Sequence, residues 1–263
     1  MRRLLNVFVE SFALGLAEFR TLYTARSWLA GWLVRMTAQV AFFGSIGLLL
    51  DSSERVQYLL VGNAVVLVCL EATIVVIFVS SERYQGTLEL LVSSPTGPAA
   101  VFLGRGLNWV VTGIVTSGVT LAVLLPLFGA PLTVGAFLGC IPVLVAIGLS
   151  SHFYGSALAS ITLRYPQVAW LVLNVGYLLV MTLAGVNVAV SYWPAPLEAL
   201  AQVLPVTHGL EAVRGVIDGA SVAETLVGVG KELAVGLGWS LVAAASYEAF
   251  VRGARRSGSL SRV

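Results

Sequence analysis

Four polar side chains interrupt otherwise apolar stretches of this 263-residue chain: Arg35, Gln39, Asn63 and Glu71. If those stretches cross a bilayer, each group is costly there and marks either a transport path or a paired structural contact. Arg35 lies about seven residues into its stretch and Glu71 about ten from the same side of the next. At 1.5 Å per residue the two depths differ by about 5 Å, so an Arg35–Glu71 ion pair between neighbouring helices is expected. Gln39, one turn beyond Arg35, shares its face. Asn63 is placed to bond across helices. A path lined by these groups would suit ion- or proton-coupled transport. In the structural alternative Arg35 extends its stem to the headgroups and Glu71 faces a neighbouring helix.

Catalytic constellations fail on spacing. Gly148-Leu149-Ser150-Ser151-His152 lacks the final glycine of a nucleophile elbow and has no acidic partner at depth. Gly228-Val229-Gly230-Lys231-Glu232 has Thr225 where a phosphate loop needs its first glycine and Glu232 where it needs Ser or Thr. Cys69 and Cys140 sit in apolar runs and read as small buried side chains, with no metal-ligand spacing around them. No metal site and no enzyme activity are expected in this chain. His208, Glu211 and Arg214 recur every three residues and share a helix face, fit either to gate a passage or to cap and solvate short helices.

The elements that hold these residues follow from composition. Hydrophobic residues make up 58% of the chain and charged ones 11%, against about 25% charged in a soluble domain. Six stretches are long and apolar enough to span: about 28–50, 56–80, 100–128, 134–162, 167–190 and 224–251. Residues 4–23 instead place Leu5, Phe8, Phe12, Phe19 and Tyr23 near one helical face, with Glu10 and Glu18 elsewhere. That pattern predicts an amphipathic helix lying in the interface. Glu10, Glu18 and Arg20 also break the apolar run that a cleaved signal needs. With the N-terminus inside, the inner side holds Arg2, Arg3, Arg20, Arg26, Arg83, Arg105, Arg164, Arg252, Arg255, Arg256 and Arg262. The outer side holds Arg55, Arg214 and Lys231. The positive-inside rule therefore places both termini in the cytoplasm. A net charge of +2 with no basic patch argues against nucleic acid as a partner.

Two segments are not simple spans. The loop after span two runs from Ser81 to Pro95. Thr87 could cap a short helix there, with Glu89 favoured in its first turn. Leu88, Leu90, Leu91 and Val92 would give that helix an apolar surface, for a partner or for this chain's own helices. Pro95 would end it. The second segment, from Ser191 to about Ala223, carries apolar runs too short to span and broken by Pro205. It reads as two short helices dipping into the outer leaflet, or as a surface loop.

The first of these segments, Glu82-Arg83-Tyr84-Gln85-Gly86-Thr87-Leu88-Glu89-Leu90-Leu91-Val92-Ser93-Ser94-Pro95, resembles the Glu-Arg-x-x-Gly-Thr-Leu-Glu-x-Leu-x-x-x-Pro loop of ABC-2 type ABC transporter permeases. The stretch from Val101 to Arg105 resembles the start of span three in that family. Leu204-Pro205-Val206-Thr207-His208-Gly209-Leu210-Glu211-Ala212-Val213-Arg214 resembles its outer element. The resemblance implies one transmembrane domain over 1–263. Its parts are an interfacial helix at 1–27, six spans over 28–251 and a basic cytoplasmic tail at 252–263. The fold is then an all-α membrane protein with a cytoplasmic coupling helix between spans two and three and an outer short-helix hairpin before span six. The resemblance also implies an exporter in the cell membrane, moving an amphiphile such as a drug, a lipid or a lipid-linked molecule. Two copies of an ABC ATPase would carry ATP and Mg, and a second permease chain, identical or a sister, would complete it. Glu82, Arg83, Gly86, Thr87, Leu88, Glu89, Leu90, Leu91 and Pro95 would form the coupling element. Pro205, Thr207, His208, Glu211 and Arg214 would form the outer gate. A secondary transporter using Arg35 and Glu71, or a membrane assembly factor, is the alternative.

Overall fold

A computed structural model describes residues 2–49, 51–88, 90 and 98–257. Every regular element among them is helical. Six helices are long and apolar enough to cross a membrane: Ala25–Leu49, Ser53–Tyr84, Val101–Leu127, Val134–Arg164, Pro166–Leu183 and Val222–Ala254. They match the six expected stretches, with ends shifted by a few residues. Two ends of the bundle are named here by their contents. The loop end carries the segment after span two, and the hairpin end carries the segment before span six.

Span one opens on a capping box between Thr24 and Ser27, which satisfies backbone donors the first turn leaves free. A π-helical turn, Trp28–Leu33, then passes into regular helix through Leu49. Span two bends at Thr73, whose hydroxyl donates to the Cys69 carbonyl at 2.8 Å and the Leu70 carbonyl at 3.0 Å. Such back-bonding competes with the helix ladder and splits the span into Ser53–Ala72 and Val75–Tyr84. Val65, Leu67, Val68 and Cys69 are fully buried, so span two is the axis of the bundle. Spans three and four pack on it, and span six packs on span four. Gly236 of span six meets the Ser150 backbone so closely that an added Cβ would lie 3.0 Å from its Cα. Small residues allow such contact where lipid gives helices no hydrophobic drive to associate.

The helix Arg2–Leu22 packs along Pro98–Arg105, the first turns of span three. Between spans five and six stand Ala195–Gln202 and Thr207–Ile217. Val206, Leu210 and Val213 of this hairpin are wholly buried in the core cluster, which excludes a plain surface loop. Span six belongs to a helix that starts at Val222 and continues through Ser257. Lys231 lies within the spanning helix, as the expected 224–251 stretch has it, and residues 252–257 of the expected tail are helical. Residues 258–263 of that tail fall outside the described residues.

Candidate functional site

At the loop end three chain segments meet on one guanidinium. Arg105 forms an ion pair with Glu82 at the end of span two and donates to Glu18 of the first helix. The Arg105 and Glu82 side chains are 9% and 2% exposed, so the pair is screened little by water. Losing one partner of such a pair strands a buried charge, at a cost of about 3–5 kcal/mol. Sequence reading placed Arg105 at the start of span three and Glu18 on a polar helix face, without joining them. Helical periodicity says nothing about residues 87 positions apart.

The expected coupling residues divide. Arg83 donates to the Leu163 carbonyl at 2.7 Å, closing the last turn of span four. Gly86 turns the chain with φ of +71°. The Thr87 hydroxyl bonds back to the Glu82 carbonyl at 3.2 Å and to its carboxylate. Leu88 and Leu90 are helical, but their surroundings differ. Leu88 is 3% exposed, in a cluster that includes Val79, Phe102 and Tyr247, whereas Leu90 is 72% exposed. The apolar surface foreseen for this loop is thus shared between the chain's own core and its outside. Glu89, Leu91 and Pro95 lie outside the described residues.

Toward the middle of the bundle the expected ion pair is replaced. Glu71 accepts from the Trp32 indole N–H at 2.9 Å, and Thr112 and Thr116 of span three border it. Arg35 is exposed, its guanidinium 5.8 Å from the Trp32 ring, and among the described residues no ion pair joins it to Glu71. Trp32 stands one turn nearer the loop end and reaches Glu71 in place of Arg35. Tyr23 sits beside both charges. Its phenol is pushed above the usual tyrosine range, first by burial and then by Glu71, with Arg35 opposing. Gln39 is half-buried. Asn63 turns toward the hairpin end, donating to Asn187 at 2.8 Å and to the Leu59 carbonyl at 2.9 Å. The four intramembrane candidates therefore do not form one cluster. His152 is a buried helix residue bonded to the Leu103 carbonyl at 2.9 Å.

The hairpin end is organised by a residue that the sequence reading passed over. Glu232 of span six accepts from Val206 N–H at 2.8 Å, from Gly209 N–H at 2.9 Å and from the Ser150 hydroxyl. It is fully buried. Its carboxylate sits at the start of Thr207–Ile217, where free backbone donors and the helix dipole favour negative charge. Val206 adopts φ of +79°, the left-handed region a branched residue seldom enters. The Glu232 bond holds it there. In the sequence this carboxylate appeared only as a mismatch in a failed phosphate loop. The usable signal was an acid inside an apolar span.

The expected gate residues close the same hairpin. Pro205 lies buried in its turn. Thr207 donates its hydroxyl to the Ala201 carbonyl at 2.7 Å, and the His208 ring meets the Gln202 carbonyl at 3.1 Å. Arg214 lies 3.5 Å from the centre of the Tyr58 ring and donates to the Tyr58 and Val186 carbonyls at 3.2 and 3.3 Å. Burial pulls its pKa below the ordinary arginine value, against Tyr58, Asp218 and Glu211, which favour the charge. Tyr58 in turn donates to the Gly185 carbonyl at 2.8 Å. Glu211 is exposed.

A family model described as ABC-2 type transporter matches residues 11–217. The chain belongs to the ABC-2 type transporter family. No curated protein and no solved structure matches it. As an ABC-2 transporter chain it is a multi-pass membrane protein and a permease component of an ABC transporter, a family whose membrane chains work with an ABC ATPase subunit. The matched region contains Glu18, Glu82, Arg105 and the whole hairpin. It stops before span six, so the Glu232 bond ties the matched region to a helix outside it.

Proposed function

We propose that this chain is the permease subunit of an ABC exporter that moves an amphiphile outward, with both termini cytoplasmic. In this reading residues 1–263 form one transmembrane domain. Two such chains, identical or sister, pair with two ATPase subunits that bind ATP and Mg and dock on the 82–95 loop. The observation that carries it is the Arg105 node. A push on the loop reaches Glu82 and Thr87, and Arg105 passes it to span three and to the first helix together. The bilayer-facing composition suits an amphiphilic cargo better than a long charged glycan.

The test is site-directed photo-crosslinking in membranes containing the ATPase. A photoreactive residue at Tyr84, which is 68% exposed, should capture the ATPase. One at Leu226, at the hairpin end, should not. Capture from Leu226, or from neither site, overturns the docking assignment.

A further inference from the structure

Lys231 is a cation on an apolar helix. Span six runs over 33 residues, Val222–Ala254, which is about 50 Å long, against a hydrocarbon core of about 30 Å. A centred span overhangs by about 10 Å at each end. Lys231, nine residues in, therefore sits near the hydrocarbon boundary at the hairpin end. It is exposed, and among the described residues no acid pairs with it.

Two adjoining hollows share Lys231 and His208. Toward the bundle centre a groove of about 560 Å³ is lined by Val203, Ala234, Val235, Trp239 and Val242 together with that pair. Toward the hairpin end a hollow of about 320 Å³ adds Glu211, Glu224 and Thr225. Depth thus orders the chemistry as apolar, then cationic, then acidic. Glu211 lies one turn outward of His208, about 4.5 Å by helical rise. Glu224 accepts from the Ser221 N–H and hydroxyl through Oε2, which leaves Oε1 for another donor. Arg214 stacks on Tyr58 and also interacts with Glu211, so Glu224 is the acid of the rim that it does not offset.

We propose that this groove binds one aminophospholipid of the surrounding leaflet, with an acyl chain along Trp239 and Val242. The phosphate meets Lys231, and the primary ammonium meets Glu211 and Glu224. The acidic rim disfavours a purely anionic headgroup. A quaternary ammonium has no N–H to donate to the carboxylates. The proposal needs the six spans and neither the export direction nor the ATPase, so its failure leaves the permease reading standing.

The test uses the full chain in nanodiscs of phosphatidylcholine carrying a minor fraction of one bromine-tailed lipid. That lipid has an ethanolamine, choline or glycerol headgroup. Quenching of tryptophan fluorescence reads occupancy beside Trp239, and Trp239→Phe identifies that component. The ethanolamine lipid should quench the Trp239 component several-fold more strongly than the other two. Lys231→Gln should weaken quenching by all three lipids, and Glu211→Gln should erase the ethanolamine advantage and shift preference toward the glycerol headgroup. Equal quenching by all three lipids, the strongest quenching by the glycerol or choline lipid, quenching unweakened in Lys231→Gln, or an ethanolamine advantage unchanged in Glu211→Gln would each overturn the assignment. Size-exclusion profiles matching the parent chain confirm that the variants are folded.

Discussion

Glu82 at the loop end and Glu232 at the hairpin end are both buried carboxylates, and they are satisfied in opposite ways. Glu82 faces a side-chain cation, Arg105, shared with Glu18 on another helix. Glu232 faces backbone N–H groups, at Val206 and Gly209, which can move only if the hairpin moves. The first arrangement suits transmission, because an ion pair can shift between two acids. The second suits a fixed stop, because three donors converge on one point in the bundle. A fold built this way would move at the loop end and hold the hairpin until the spans themselves shift.

The largest effect should come from breaking the stop. Glu232→Leu leaves two backbone donors without their acceptor, at about 1–3 kcal/mol for each stranded group, while the Ser150 hydroxyl keeps the Ile147 carbonyl at 3.1 Å. The expected result is a fall of several kcal/mol in unfolding free energy, read by thermal denaturation in detergent. Protease cleavage near 203–208 should rise as the hairpin loosens. Glu232→Gln keeps an acceptor oxygen and should lose less than half as much. Equal losses in the two variants would mean that volume, not acceptance, fixes the hairpin.

Arg105→Gln comes next. It strands Glu82 and should cost about 3 kcal/mol. The double variant Arg105→Gln with Glu82→Gln should recover most of that loss, because no buried charge remains. Among the described residues no ion pair reaches Glu232, so no second-site neutralisation should rescue its loss. That contrast separates the two ends by experiment.

Much of the fold could be read from residue type alone, because a bilayer imposes length and composition on each span. The loop match also stood in plain sequence, from Glu82 to Pro95. Pairing was not legible. Periodicity located Arg35 and Glu71 at similar depth but could not show that Trp32, one turn nearer the loop end, takes the carboxylate. Arg105 and Glu18 are far apart in sequence, and their meeting depends on how the first helix lies on span three. Glu232 was missed because its partners are backbone groups, which leave no trace in side-chain patterns. The hairpin burial rests on Val206, Leu210 and Val213, a face too short to mark itself as core.

Arg214→Lys should have a smaller effect, about 1–2 kcal/mol. Lysine keeps the charge but loses the planar stack on Tyr58 and the reach to two carbonyls. Methionine at the same site should cost more, since Tyr58 and Val186 would then lose the charged donor as well. If lysine and methionine behave alike, stacking carries the contact and the carbonyl bonds do not.

The smallest effect is expected at Arg35, and it extends the comparison to a third carboxylate. Glu71 is served by a neutral indole donor, so Arg35 can be removed without stranding it. Arg35→Gln should lower stability by about 0.5–1 kcal/mol, the scale of an exposed cation over a ring. Trp32→Phe should cost more, since it removes the N–H that Glu71 uses. Reversal of that order would show that Arg35 supports Glu71 directly. With the expected order, the three carboxylates are three settings of one device: a cation where motion passes through, an indole where a span is merely fastened, and backbone where the chain must hold.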